Sequence, residues 1–170
     1  MTAADSTQRI SALLARLHDL AQRDDLAEVA WCGPSTEQAI TAVEHALDVR
    51  ITGSFRDFIL RTGGGGLDLF PISTIPADAP LNGHGTVHGD TLYWRHDASG
   101  TPLPPHLVVI QRDADDNEPF CLDTSRVVGG ENPVVLFYPS SRSGHVDRIA
   151  PGFLDFYEDY LAPNFGGEAE

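Results

Sequence analysis

Two groups of side chains have the residue types and spacing that could do chemistry. The first is Trp31-Cys32-Gly33-Pro34-Ser35. A thiolate at a helix N-terminus can attack a disulfide, and a second thiol three residues on resolves the mixed intermediate. Ser35 stands where that second sulfur would be, so a two-thiol cycle cannot close. The preceding run, Asp24-Asp25-Leu26-Ala27-Glu28-Val29, does not read as the buried apolar strand that such a motif follows. Gly-Pro-Ser-Thr is then more simply a turn and a helix cap. The second group is His84, His88, Asp90 and His96. Histidines four apart hold zinc when they share a helical face. Gly83, Gly85 and Gly89 instead place the pair in a loop, Pro76–Asp90, where the spacing loses its geometric meaning. The histidines read as exposed loop residues, and no metal site is expected.

Asp113, Asp115, Asp116, Asn117 and Glu118 open like a calcium loop. Glu118 occupies the position where glycine must make the sharp turn, and Thr124 the position of the bidentate carboxylate. The segment reads as an acidic hairpin loop whose carboxylates are solvated or face a basic partner. No Gly-x-Ser-x-Gly elbow, His-Glu-x-x-His helix or strand-borne Gly-x-Gly-x-x-Gly is present. All eleven basic residues are arginine, which removes the phosphate-loop lysine and any Schiff-base lysine. No catalytic residue and no cofactor is expected.

The elements that would position these groups change type along the chain. Asp5 and Ser6 can cap a helix whose stripe is Ile10, Leu13, Leu14, Leu17 and Leu20, ending before Asp24. Ser35 with Gln38 makes a capping box for a second helix running to about Asp48. A third follows Gly53-Ser54 and ends at Thr62. The run Gly63–Gly66 follows a helix rather than a strand, so it suits a helix C-cap and corner better than a phosphate cradle. Short strands are expected at Leu69–Ile72, Thr91–His96, Leu107–Gln111, Pro119–Asp123, Pro133–Tyr138 and Val146–Ile149. A closing helix after Pro151 sets Phe153, Phe156, Tyr157, Tyr160 and Leu161 on one face and a solvated Asp155, Glu158 and Asp159 opposite. Helices first, strands next and one helix last make an α+β fold. Its expected centre is a mostly antiparallel sheet of about five to six strands, with the N-terminal helices and one C-terminal helix packed on it.

The 170 residues suit one domain, 1–170, in which 1–30 carry the N-terminal helix, integral or appended, and 163–170 form a disordered tail. The start of the chain lacks a signal-peptide pattern, and no apolar run reaches membrane-spanning length. Two distant cysteines, Cys32 and Cys121, suit a reducing, cytoplasmic setting. Twenty-five acidic residues against eleven basic ones leave a net charge of −14. That charge argues against a nucleic-acid backbone as partner, because affinity there comes from neutralising phosphates with cations. It favours a basic protein partner, or serves only solubility.

Taken together, several stretches resemble the SUKH superfamily, in the branch related to yeast cell-wall-assembly regulators. They are Ser35–Gly66, Phe120-Cys121-Leu122-Asp123-Thr124, Pro133–Tyr138 and Phe153-Leu154-Asp155-Phe156-Tyr157. Asp48 departs from the glycine usual in that branch, and Ile51-Thr52-Gly53 replaces its leucine-proline turn. The resemblance implies an interaction domain without a shared catalytic centre. It implies an immunity-type protein that binds and neutralises a polymorphic toxin, such as a nuclease, or else a general intracellular interaction module with no toxin partner. The expected binding surface is the acidic loop, Asp113, Asp115, Asp116 and Glu118, with Tyr93, Trp94 and Arg95 as aromatic and arginine anchors. On a strand, at least one of Tyr93 and Trp94 would point into the core.

Overall fold

The computed structural model describes residues 3–23, 28–68, 71–81, 83–97, 99–112, 118–140 and 144–165. Helix α1 (Ala3–Arg23) buries the expected stripe of Ile10, Leu13, Leu17 and Leu20 in the main core. Arg9 on its side reaches Asp155 and Glu158, each at 2.8 Å. Asp155, expected with Asp159 on a solvated face, thus joins Glu158 in a partly exposed docking contact for α1. Strand β1 (Val29–Trp31) was not evident in the sequence. It pairs antiparallel with β2 (Gly65–Leu67) in a two-stranded ribbon.

Helix α2 (Glu37–Leu47) starts one residue later than the capping box suggests. Thr36 is the N-cap, its Oγ1 accepting the Ala39 N–H at 3.1 Å, while Ser35 is buried beside it. Helix α3 (Ser54–Thr62) ends at Gly63, whose φ of 70° lies in the left-handed region. A Cβ there would stand 2.0 Å from the Gly33 carbonyl oxygen, so only glycine fits this cap. The glycine run then continues as β2 itself, because its backbone must pass close to β1.

Strands β3 (Leu107–Gln111), β4 (Phe120–Asp123), β5 (Val134–Tyr138) and β6 (His145–Ala150) form a four-stranded antiparallel sheet in chain order. With β1 and β2 the described residues form six strands in two sheets, an α+β fold. Side-chain alternation splits the large sheet cleanly. Val108, Ile110, Leu122 and Val134 join the helices in the main core. Leu107, Val109, Cys121, Val135 and Phe137 face the other way and form a second core with Trp94 and Leu103. Helix α5 (Phe153–Leu161) closes the helical layer. Its Phe153 ring lies 4.9 Å from that of Phe58 and 5.1 Å from that of Phe55, and Phe156 sits 4.8 Å from Phe120.

The strand expected at Thr91–His96 is instead helical. Helix α4 (Val87–Leu92) runs into a π-helical turn over Tyr93–Asp97. Thr86 caps α4, accepting the Gly89 N–H at 3.0 Å, and Val87, Thr91 and Trp94 share its buried face. The aromatic and β-branched content of that stretch favours a strand, but packing on β3 overrides the propensity. The loop expected over Pro76–Asp90 consequently ends at Thr86. Of the strand expected at Leu69–Ile72, residues 69 and 70 lie outside the described residues, and Ile72 makes a single bridge to Gly65. A 3-10 turn occupies Ala162–Phe165 where the tail was expected to begin, and 166–170 lie outside the described residues.

Candidate interaction surface

The residues singled out in the sequence have different fates. Trp94 is 3% exposed and lies within the second core. Its carbonyl accepts the Leu103 N–H at 2.9 Å. An interface anchor must be reachable, so Trp94 is corrected to a core residue. Arg95 is a brace: its guanidinium donates to the carbonyls of Leu47, Pro105 and Leu107, joining the end of α2 to the start of β3. Tyr93 remains half-exposed. Its ring meets Trp94 edge-on at 5.6 Å, and the Arg112 guanidinium lies 5.7 Å from its centroid. That placement is the cation–π range.

Arg112 ends the run after β3, and Glu118 re-enters just before β4. The acidic loop is thus the β3–β4 connection. Asp113, Asp115 and Asp116 lie outside the described residues. Glu118 is half-buried at the foot of the loop. The Tyr138 pKa is raised first by its hydrogen bond to Asp147 and least by the Glu118 charge. Tyr93 therefore stands at the root of the loop, on the Arg112 side. Sequence spacing gave no sign of this pairing, since nineteen positions separate the two residues and the intervening chain is not a hairpin.

Beneath Arg112 lies a cleft of about 320 Å³, walled by Ile72, Ser73, Thr74, His84 and Gly85. Its floor carries Asp90, whose side chain is 1% exposed. Asp90 Oδ2 accepts from Ser73 Oγ at 2.8 Å and Oδ1 from the Gly85 N–H at 2.9 Å. Arg112 approaches Oδ1 at 3.7 Å, and His84 Nδ1 is 3.3 Å from an Arg112 nitrogen. Burial raises the Asp90 pKa, against the opposing pull of Gly85, Ser73 and Arg112. A buried, perturbed carboxylate in a cleft is a functional-site signature. Here both oxygens are committed to holding the 83–86 turn and the 72–74 segment, so Asp90 acts as a clamp.

The remaining chemistry-bearing residues are dispersed. His84 is exposed just before α4, whereas His88 is buried on it, where burial and then the Arg95 charge hold its pKa below the usual range. His88 thus departs from the exposed loop position expected of it. Among the described residues, no three His, Cys, Asp or Glu side chains converge as metal ligands. Cys32 is exposed after β1, and Cys121 is buried, its thiol pushed well up by burial. A strand does precede Cys32, but it is a three-residue ribbon strand of partly exposed residues, unlike a buried central strand. No described helix is long and apolar enough to cross a membrane.

Comparison with known proteins agrees with this reading of the fold. No curated protein matches the chain. Residues 34–159 match the model of the family described as SMI1 / KNR4 family (SUKH-1). The match takes in α2, α3, α4, the whole four-stranded sheet and most of α5, and leaves out α1 and β1. With about three-quarters of its length inside that match, the chain belongs to the SMI1 / KNR4 (SUKH-1) family.

Proposed function

We propose that this protein is a non-enzymatic, immunity-type interaction domain, which binds a polymorphic toxin in the cytoplasm and masks its active cleft. The observation that carries this reading is membership of the SUKH-1 family over residues 34–159. The net charge of −14 supports a basic partner, and a nuclease is the kind of toxin whose phosphate-attracting site carboxylates would block. A negative field raises the encounter rate with such a partner by roughly 10- to 1000-fold at low salt. The binding face we assign is the acidic loop, Asp113, Asp115, Asp116 and Glu118, with Tyr93 as its aromatic anchor. Trp94 packs edge-on against Tyr93 from the second core, whereas Arg95 braces the other end of β3.

The test is co-expression with a toxin encoded beside the gene, followed by calorimetry on the purified pair. Protection of the host and tight binding are expected. Tyr93→Ala should weaken binding by about 1–2 kcal/mol while leaving the fold intact. Joint replacement of Asp113, Asp115 and Asp116 by asparagine should slow association and flatten its salt dependence. Absence of both protection and binding would overturn the toxin reading. A stable endogenous partner unrelated to toxins would support instead a general interaction module.

A further inference from the structure

The two edges of the four-stranded sheet are treated differently. The outer edge of β3 is sealed: Ser73 donates its N–H to the Ile110 carbonyl at 2.8 Å, and Thr91 Oγ1 accepts from the Val109 N–H at 3.0 Å. On β6, residues 146–149 make no backbone hydrogen bond except those to β5, among the described residues. An open edge is a template for another strand unless it is guarded. Here the guards are a register shift opposite Val134 and Val135, which bends the strand, and the charged residues Asp147 and Arg148, with the polar His145 beside them.

Those charges are not equivalent. The Asp147 carboxylate is occupied by Tyr138, whose hydroxyl donates at 3.1 Å, and by His145 at 2.8 Å. The Arg148 guanidinium has no hydrogen-bond or ion-pair partner among the described residues. It borders a groove of about 260 Å³ whose apolar floor is Leu107, Val128, Val135 and Val146. Arg126 stands on the same groove, 73% exposed and tied only loosely to Asp123 at 3.6 Å. Three of the large apolar side chains most exposed to solvent, Val127 (58%), Val128 (52%) and Ile149 (44%), belong to this β4–β5 connection and to β6. On a chain of net charge −14, a groove lined by two guanidiniums against one carboxylate, Asp123, is a local reversal of sign.

We propose that this groove and the open β6 edge dock an extended, acidic segment of a partner protein. Its carboxylates meet Arg126 and Arg148, and an aliphatic side chain enters the floor between Val135 and Val146. Charge complementarity selects this occupant. A second copy would bring another −14 of charge, and a basic segment would be repelled by the guanidiniums. The partner is chemically opposite to the toxin proposed above, so the two readings stand or fall separately.

The probe is a short fluorescein-labelled peptide alternating glutamate with valine, titrated into the whole chain by anisotropy at low salt. Saturable binding is expected, with slowed amide hydrogen exchange over residues 145–149. The Arg126→Glu/Arg148→Glu double variant should lose about tenfold in affinity for each guanidinium. Val128→Asp, on the exposed connection, should weaken the same peptide without touching the sheet. Absence of binding, affinity unchanged in the double variant, or unprotected β6 amides at saturation would overturn the proposal. So would a dimer in sedimentation that Arg148→Glu dissociates, because the edge would then belong to a second copy.

Discussion

Glu131, between β4 and β5, receives both the backbone N–H and the hydroxyl of Ser54, at 2.9 Å and 2.7 Å. Helix α3 has Gly53 at its N-cap and so no side-chain cap of its own. A carboxylate from 77 residues further along the chain supplies the missing acceptor and complements the helix dipole. The Ser54 hydroxyl in turn accepts the Leu154 N–H at 3.2 Å, at the start of α5. One acid thereby ties the N-termini of two helices to a connection of the sheet.

Glu131→Ala should therefore lower the unfolding free energy by about 1–3 kcal/mol, since it orphans donors at a partly buried helix end. Urea midpoints of the variant and of Glu131→Gln, which keeps one acceptor oxygen, give the measurement. The glutamine variant should fall between the alanine variant and the parent.

Asp48 is the one non-glycine residue with positive φ, at 55°, among the described residues. It closes α2 in the left-handed region and sets a negative charge at the helix C-terminus, both unfavourable. Asp48→Gly should raise stability by about 0.5–1 kcal/mol, or about 1–4 °C in melting temperature. A fall on scanning calorimetry would mean that the carboxylate makes a stabilising contact of its own.

Gly66 and Tyr157 should be coupled. A Cβ at Gly66 would lie 2.3 Å from the Tyr157 hydroxyl, which is buried and has no hydrogen-bond partner among the described residues. Tyr157→Phe should be neutral or stabilising by up to about 1 kcal/mol. Gly66→Ala should cost about 2–4 kcal/mol from overpacking and from its φ of 123°. In a double-mutant cycle the pair should lose less than the sum of the singles, by about 1 kcal/mol or more. Strict additivity would contradict the contact.

Asp90 should leave a signature in the acid limb of the stability curve. Its folded pKa is raised above the ordinary 3.8, so the native state binds the proton more tightly than the unfolded chain does. The stability it contributes is present below that ordinary value and is lost as pH rises through the raised one. Asp90→Asn lacks this titration. The difference in denaturant midpoint, variant minus parent, should grow from pH 3.5 upward and level off once Asp90 is ionised. A difference independent of pH would show that its ionisation is unperturbed.

Much of the fold was legible residue by residue where local pattern and burial agree. The Ile10, Leu13, Leu17 and Leu20 stripe, the Ser54–Thr62 helix and the Leu107–Gln111 strand lie where their periodicity puts them. Thr91–His96 departs from its expected strand because Thr91, Tyr93 and Trp94 resemble one, while the cap at Thr86 and the Val87, Thr91, Trp94 spacing carried the helical signal. Strand β1 was hidden because three residues, two of them paired with glycines, have no pattern to display.

The candidate surface divides along the same line. Its charge and the acidic loop between β3 and β4 follow from composition and strand order, which local sequence encodes. That Tyr93 rests against Arg112, that Trp94 is core, that Arg95 is consumed by carbonyls and that β6 keeps an open edge are outcomes of packing. Residues far apart in sequence meet only when helices and sheet dock, and docking alone decides which polar groups are spent internally and which remain for a partner.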